Sequence, residues 1–275
     1  MHTKNGGDHR LKRIILCILC IMISAVCIRS TSAYGSDALN WYCPKVIDHK
    51  QPIADQAMRI IERYQGYYVD HKHGDSCEEK VVYLTFDAGY ENGNVAKILD
   101  VMKNEQVMGA FFILGNLIQR NPELVSRMAE EGHLVCNHTF YHKDMTKVKD
   151  FNEFSAELKK LEALYYETTG QVMAKYYRPP EGKFNECSLE FASRLGYKTV
   201  FWSLAYADWD NRNQPDPKAS IEKIMSRIHN GAVILLHPTS KTNAEILEEV
   251  IVRLKQQGYR FGSLDELTAE STVSR

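Results

Sequence analysis

From Lys80 onward the chain repeats one unit: a short apolar run, then a segment with helical spacing. The apolar runs are Val81 to Phe86, Ala110 to Leu114, His133 to Cys136, Tyr176 to Arg178, Thr199 to Ser203, Ala232 to Leu236 and Tyr259 to Phe261. Helical patterns separate most of them, over Asn94 to Asn104, Pro122 to Glu131, Phe151 to Thr168, Ser188 to Leu195, Ser220 to His229 and Ala244 to Gln257. A strand that returns after a helix runs in its original direction, so the pattern predicts a parallel sheet. About seven such units in 275 residues predict an α/β fold, a barrel, whole or incomplete, with an open doubly wound sheet as the alternative. No Gly-x-Gly-x-x-Gly and no phosphate loop follows the first strand, which argues against a nucleotide site.

Two segments precede this pattern. Arg10, Lys12 and Arg13 lead into an apolar run from Ile14 to Ile28, and Ser30, Thr31, Ser32 and Ala33 follow. A basic start, a short apolar core and a small-residue exit form an export signal. The run is ~15 residues, short of the roughly 20 that span a membrane, so residues 1–33 read as a signal peptide, or alternatively as an uncleaved anchor. The expected location is therefore outside the cytoplasm, secreted or held at the outer face of the membrane, with membrane contact through this segment alone. Residues 34–79 are mixed and polar, broken by Pro44, Pro52 and Gly74, with one helical stretch near Ala54 to Tyr64. They read as an extension packed on the main domain, which covers residues 80–270.

Charge narrows the partners. Lys plus Arg number 34 against 35 Asp plus Glu, and no basic stripe is evident. A duplex or single-strand binder needs such a stripe, so nucleic acid is excluded as the main partner, while a neutral glycan is not. Of seven cysteines, Cys43, Cys77, Cys136 and Cys187 lie beyond the signal; an even number in an oxidising compartment permits disulfides, Cys43 with Cys77 among them. Oligomeric state is not legible.

In a parallel barrel, residues just beyond the strand C-termini converge on one face. Five polar features fall there: Asp87, the pair His138 and His142, Arg178, Asp208 with Trp209, and His237. Asp87 is a turn or cap residue, or a general base kept ionised by a neighbour. His138 and His142 are two surface histidines, or, four apart on a helical turn, a pair of metal ligands. Arg178 opens Arg-Pro-Pro-Glu181-Gly, a rigid turn carrying either an exposed cation or one that pairs with Asp87. His237 ends an apolar run and is structural, or an acid that protonates a leaving amine with Asp208 as partner. Trp202, Trp209, Tyr206 and Leu235 are core, or the wall of an acyl or sugar pocket; for Trp202 the core reading is preferred.

The order Thr-Phe-Asp87-x-Gly, Asn-His138-Thr-x-x-His142, Arg178-Pro-Pro-x-Gly, Asp208-Trp209 and Leu-Leu-His237 resembles the polysaccharide deacetylases, carbohydrate esterase family 4, across about residues 80–270. Tyr90-Glu91-Asn92-Gly93, Phe201-Trp202-Ser203-Leu204-Ala205, Asn243-Ala244-Glu245 and Trp41 are similar to the muramic-acid deacetylases of spore formers within it. The resemblance implies a distorted (β/α)7 barrel of the polysaccharide deacetylase type, acting on the peptidoglycan glycan strand. It implies removal of acetyl from N-acetylmuramic acid, leading to the muramic δ-lactam of spore cortex. It casts Asp87 as general base, Arg178 as its orienting partner, His237 as general acid tuned by Asp208, and Trp209, Tyr206, Glu181 and Leu235 as substrate contacts. It implies a divalent metal, zinc, on His138 and His142. Ala88 departs from the pattern, which has a carboxylate there as third ligand, so the metal is expected to be weakly bound. The alternatives are a catalytically inactive glycan-binding protein on the same fold, and a deacetylase of N-acetylglucosamine polymers.

Overall fold

The computed structural model describes residues 37–269; the expected export segment, residues 1–33, lies outside them. Three short elements and one long strand open the described chain: strand β1 (Leu39–Asn40), a 3-10 turn over Met58–Tyr64, strand β2 (Gly66–Tyr67) and strand β3 (Lys80–Ala88). The rest alternates: α1 (Val95–Asn104), β4 (Ala110–Ile113), α2 (Gly115–Arg120), α3 (Pro122–Glu130), β5 (Leu134–Asn137), α4 (Phe151–Thr169), β6 (Tyr176–Tyr177), β7 (Lys183–Phe184), α5 (Glu186–Arg194), β8 (Lys198–Val200), α6 (Pro217–Arg227), β9 (Ala232–Leu236), α7 (Lys241–Gln256), β10 (Tyr259–Phe261) and α8 (Leu264–Leu267).

The central sheet pairs β2, β8, β6, β5, β4 and β3 in that order, with β9 and β10 also on β3. All its strand pairings are parallel. A parallel bridge from Leu204 to Ile234 brings the chain beyond β8 back onto β9, so the sheet curls into a distorted barrel. Strand β3 explains why the fold holds. Its residues from Val81 to Phe86 are all buried, as a strand covered on both faces requires. Val82, Leu84, Phe86 and Ala88 pack in the apolar layer with helix residues such as Ile98, Leu99 and Leu247. Val81 and Tyr83 belong to a second cluster with Phe112, Val200 and Val233, inside the barrel. The two-residue period of a strand therefore sends Thr85 and Asp87 inward as well.

Residues 37–79 are built into the barrel. Strand β1 pairs antiparallel with β7, and β2 extends the main sheet beside β8. Trp41 is buried against Tyr68, Phe184 and Phe201, with ring centroids 5.1, 6.5 and 4.6 Å away. Burying a ring of that size contributes roughly 4–6 kcal/mol gross, enough to pin the segment. The helix expected from Ala54 is a 3-10 turn from Met58. Helix α2 had no counterpart in the sequence reading, because it starts on a glycine and lacks a capping side chain. The four cysteines among the described residues are free thiols, so Cys43 and Cys77 are not paired. No helix among the described residues is long and apolar enough to cross a membrane.

Candidate active site

Arg178, just past β6, is the hub. Its side chain is fully buried, and such a cation must be hydrogen-bonded and neutralised. Nε donates to the Val200 carbonyl at 2.9 Å, Nη2 to Thr85 Oγ1 at 2.9 Å and the Phe201 carbonyl at 3.3 Å, and Nη1 to Asp87 Oδ1 at 2.8 Å. Thr85 in turn donates to the Ile234 carbonyl at 2.7 Å, which locks its oxygen toward the guanidinium. The Phe112 ring lies 4.1 Å from the guanidinium carbon. Burial on its own would raise the Asp87 carboxyl. The positive field of Arg178, with His138 and His237 behind it, instead holds it below the usual carboxylate range. Asp87 is therefore an ionised base at neutral pH.

The two histidines sit on the loop after β5, and here the geometry corrects the expected helical turn. Residues 138–144 have no regular structure, and both Thr139 (φ 72°) and His142 (φ 57°) are left-handed. A β-branched residue at that φ is strained. Two side-chain bonds hold it: Thr139 N donates to Asn137 Oδ1, and His142 N to Thr139 Oγ1, each at 2.9 Å. The imidazoles meet at a centroid distance of 5.1 Å through this fold of the loop and not through helical spacing. His138 Nδ1 donates to the Arg178 carbonyl at 2.8 Å, leaving the Nε2 lone pair on the Asp87 side, 3.6 Å from Oδ2. Burial pushes His138 down to about 4 and also lowers His142, so both are neutral and able to ligate.

His237 follows β9. Its Nδ1 donates to Asp208 Oδ1 and its backbone N–H to Asp208 Oδ2, both at 2.8 Å. Desolvation lowers its proton affinity, but hydrogen bonding and charge attraction from buried Asp208 outweigh that, and the imidazole is raised above its ordinary value. A depressed base and a raised acid thus face one cavity of about 940 Å³. Asp87, His138, His142, Glu181, Tyr206, Trp209, Leu235 and His237 line it, while Arg178 and Asp208 stand behind. All ten residues singled out from sequence are brought together. Trp202, read as core, also lines the cavity, and so do Trp41, Tyr42 and Cys43 from the extension. Trp41 Nε1 donates to the Trp202 carbonyl at 2.9 Å, and Trp41 N donates to the Gly182 carbonyl at 2.9 Å. Gly182 (φ 66°) is required there: a Cβ would lie 2.8 Å from Trp202 and 3.0 Å from Trp41.

Ala88 supplies no ligand. Its methyl is fully buried in the helix-side apolar layer and does not line the cavity. Among the described residues no three His, Cys, Asp or Glu side chains are placed to hold a metal together. The donor set is two imidazoles, short of the three protein ligands of an ordinary catalytic zinc site.

Comparison with known proteins agrees with this geometry. The polysaccharide deacetylase family model matches residues 74–200. Peptidoglycan-N-acetylmuramic acid deacetylase PdaA of Bacillus subtilis is 40% identical over 242 residues, 88% of this chain and 90% of that protein. The solved structure of B. subtilis PdaA, a family 4 carbohydrate esterase, superposes with a TM-score of 0.79, covering 84% of this chain and 97% of the other. A peptidoglycan-N-acetylglucosamine deacetylase of Bacillus cereus is 32% identical over 190 residues, 68% of this chain and 67% of its own. A family 4 pseudoenzyme of Bacillus anthracis is 27% identical with a TM-score of 0.66, covering 74% of this chain and 69% of that one.

Proposed function

The chain belongs to the polysaccharide deacetylase family, hydrolases of amide bonds, and from that premise we propose that it removes acetyl from N-acetylmuramic acid in peptidoglycan. The observation that carries the reading is the pairing of Asp87 with Arg178 and of His237 with Asp208 at one cavity. Asp87 takes a proton from water, whose oxygen attacks the acetyl carbonyl carbon. The tetrahedral adduct collapses, the C–N bond breaks, and His237 gives its proton to the departing amine, leaving acetate and a free amino sugar. Arg178 keeps Asp87 ionised and aimed. Leu235, Tyr206 and Trp202 offer an apolar wall to the acetyl methyl, and exposed Trp209 offers a ring face to the sugar.

The freed amine then closes on the lactyl group as the muramic δ-lactam of spore cortex, and residues 1–33 export the protein to that substrate. Muramic acid is preferred over N-acetylglucosamine because identity to the muramic-acid enzyme is 40% against 32% to the glucosamine enzyme. His138 and His142 would hold a divalent cation, zinc, only weakly, and such an ion would polarise an amide carbonyl. Ala88 and the likeness to a pseudoenzyme favour an inactive glycan-binding protein as the second reading. The retained base and acid, each with its own buried partner, speak against it.

Mass spectrometry of peptidoglycan, stripped of peptides by an amidase and incubated with the protein, tests the reading. Acetyl loss from muramic acid is expected, reduced by a chelator. Loss confined to glucosamine reverses the substrate choice, and no loss from either sugar supports the binding protein.

A further inference from the structure

We infer that Asn243 is a positioning residue for the leaving-group acid: through Asp208 it fixes the His237 imidazole and limits how tightly that ring keeps its proton. The inference rests on the reading of His237 as acid. It starts from an anomaly in helix α7. Ser240 caps this helix, its side chain accepting from Asn243 N at 3.1 Å. At that position, three past the cap, a polar side chain usually reaches back to the cap's own N–H. Asn243 turns away instead and is completely buried, although asparagine is a poor helix former.

Its amide meets three groups of the acid's surroundings. Nδ2 donates to Asp208 Oδ2 at 2.5 Å and to the His237 carbonyl at 3.0 Å. Oδ1 accepts from the Tyr206 hydroxyl. The orientation is not arbitrary: a carboxylate oxygen and a carbonyl oxygen can only accept, so a flipped amide would set oxygen against both. A chain of hydrogen bonds therefore runs Tyr206, Asn243, Asp208, His237, starting and ending at the cavity.

The chemical consequence follows from what Asp208 must do. An acid has to hold its proton until the amine leaves, and then release it. Asp208 alone would bind the imidazolium too well, because it is buried and shielded from water. A donor on Oδ2 withdraws charge from the carboxylate and weakens its pull on the Nδ1 proton. It also stops the carboxylate from rotating, so Oδ1 stays on the ring and Nε2 faces the cavity. The other charges acting on His237 come from Asp87 on β3 and Arg178 after β6, with the neutral His142 ring on the loop after β5. None of these touches Asp208 Oδ2.

The test combines the pH dependence of kcat/KM with 15N NMR titration of the His237 ring in the full chain. In Asn243→Ala the rate is expected to fall roughly 10–100-fold, as for other residues that orient a catalytic ligand. The alkaline limb and the ring titration should both move upward, with the acid limb unmoved. Asn243→Leu keeps the size and removes both donors without placing a second carboxylate on Asp208, so the same upward displacement is expected. If the alanine variant does not fold by circular dichroism, the near-isosteric leucine variant decides. A ring titration unmoved in a folded variant overturns the proposal, whatever happens to the rate. A wild-type rate in His237→Ala would instead refute the acid assignment, a separate failure.

Discussion

Asp87→Asn separates the chemical and structural duties of one carboxylate. The substitution keeps an oxygen that accepts from Arg178 Nη1, now at 2.8 Å, but removes the only carboxylate hydrogen-bonded to that guanidinium among the described residues. Breaking a buried ion pair costs 3–5 kcal/mol or so when the remaining charge is stranded. Arg178 keeps Val200 O, Thr85 Oγ1, Phe201 O and the Phe112 ring, so the lower end, about 3 kcal/mol, is expected. For a domain of this size that is a fall in Tm of roughly 6–12 °C. Loss of the general base should cut acetate release by roughly 10²- to 10⁴-fold, or about 3–5 kcal/mol of barrier. The pH dependence of stability carries a sign. The Asp87 carboxyl titrates lower in the folded protein than in the unfolded chain. Its stabilisation is therefore complete above the unfolded value, ~3.9, and is lost as pH falls through the folded one. The gap in Tm between wild type and variant should close below about pH 4. Calorimetric Tm across pH and acetate release from peptide-free glycan are the assays. Acetate release at the wild-type rate would remove Asp87 from the mechanism; an unchanged Tm at neutral pH would show that the buried pair contributes nothing.

Wild-type kcat/KM should be bell-shaped in pH, falling on the acid side through the depressed Asp87 value and on the alkaline side through a His237 value above the ordinary 6.5. An alkaline limb whose midpoint falls below the ordinary histidine value would contradict this assignment. Trp41→Ala should cost about 3–5 kcal/mol in denaturant titrations. It should also raise KM, since the ring lines the cavity and supports Trp202. Zinc titrated by calorimetry should bind weakly to the wild type and not measurably to His142→Ala; equal affinity for both would place the ion elsewhere.

How much of this was legible follows from where each signal lives. Strand β3 and helices α1, α4 and α7 were readable because burial imposes a period on a local stretch, and the boundaries moved by a few residues at most. The convergence of polar residues at strand ends was readable because a parallel barrel gathers those ends, whatever the loops do. The two histidines do meet at the cavity, but not by helical spacing. Spacing of four suggested a helical turn, but the loop is closed by Asn137 and Thr139 side chains around two left-handed residues. No composition rule announces a threonine in that conformation. Asn243 and Trp41 were recognisable only by likeness, because their partners Asp208 and Trp202 lie 35 and 161 residues away.

The same distinction explains why an alanine at position 88 leaves the rest of the site coherent. Arg178 ties β3, β6 and β8 together through Asp87, Thr85, Val200 and Phe201, and its own carbonyl accepts the His138 Nδ1 proton. The base, the tautomer of one imidazole and the strand ends are therefore fixed by one buried cation that does not need a metal to stay in place. The acid is fixed independently, by Asp208 and Asn243. A metal held by His138 and His142 would add charge stabilisation to that frame. Chelation should then lower the rate of acetate release while leaving Tm nearly unchanged. A large drop in Tm on chelation would show instead that the ion, and not Arg178, organises the site.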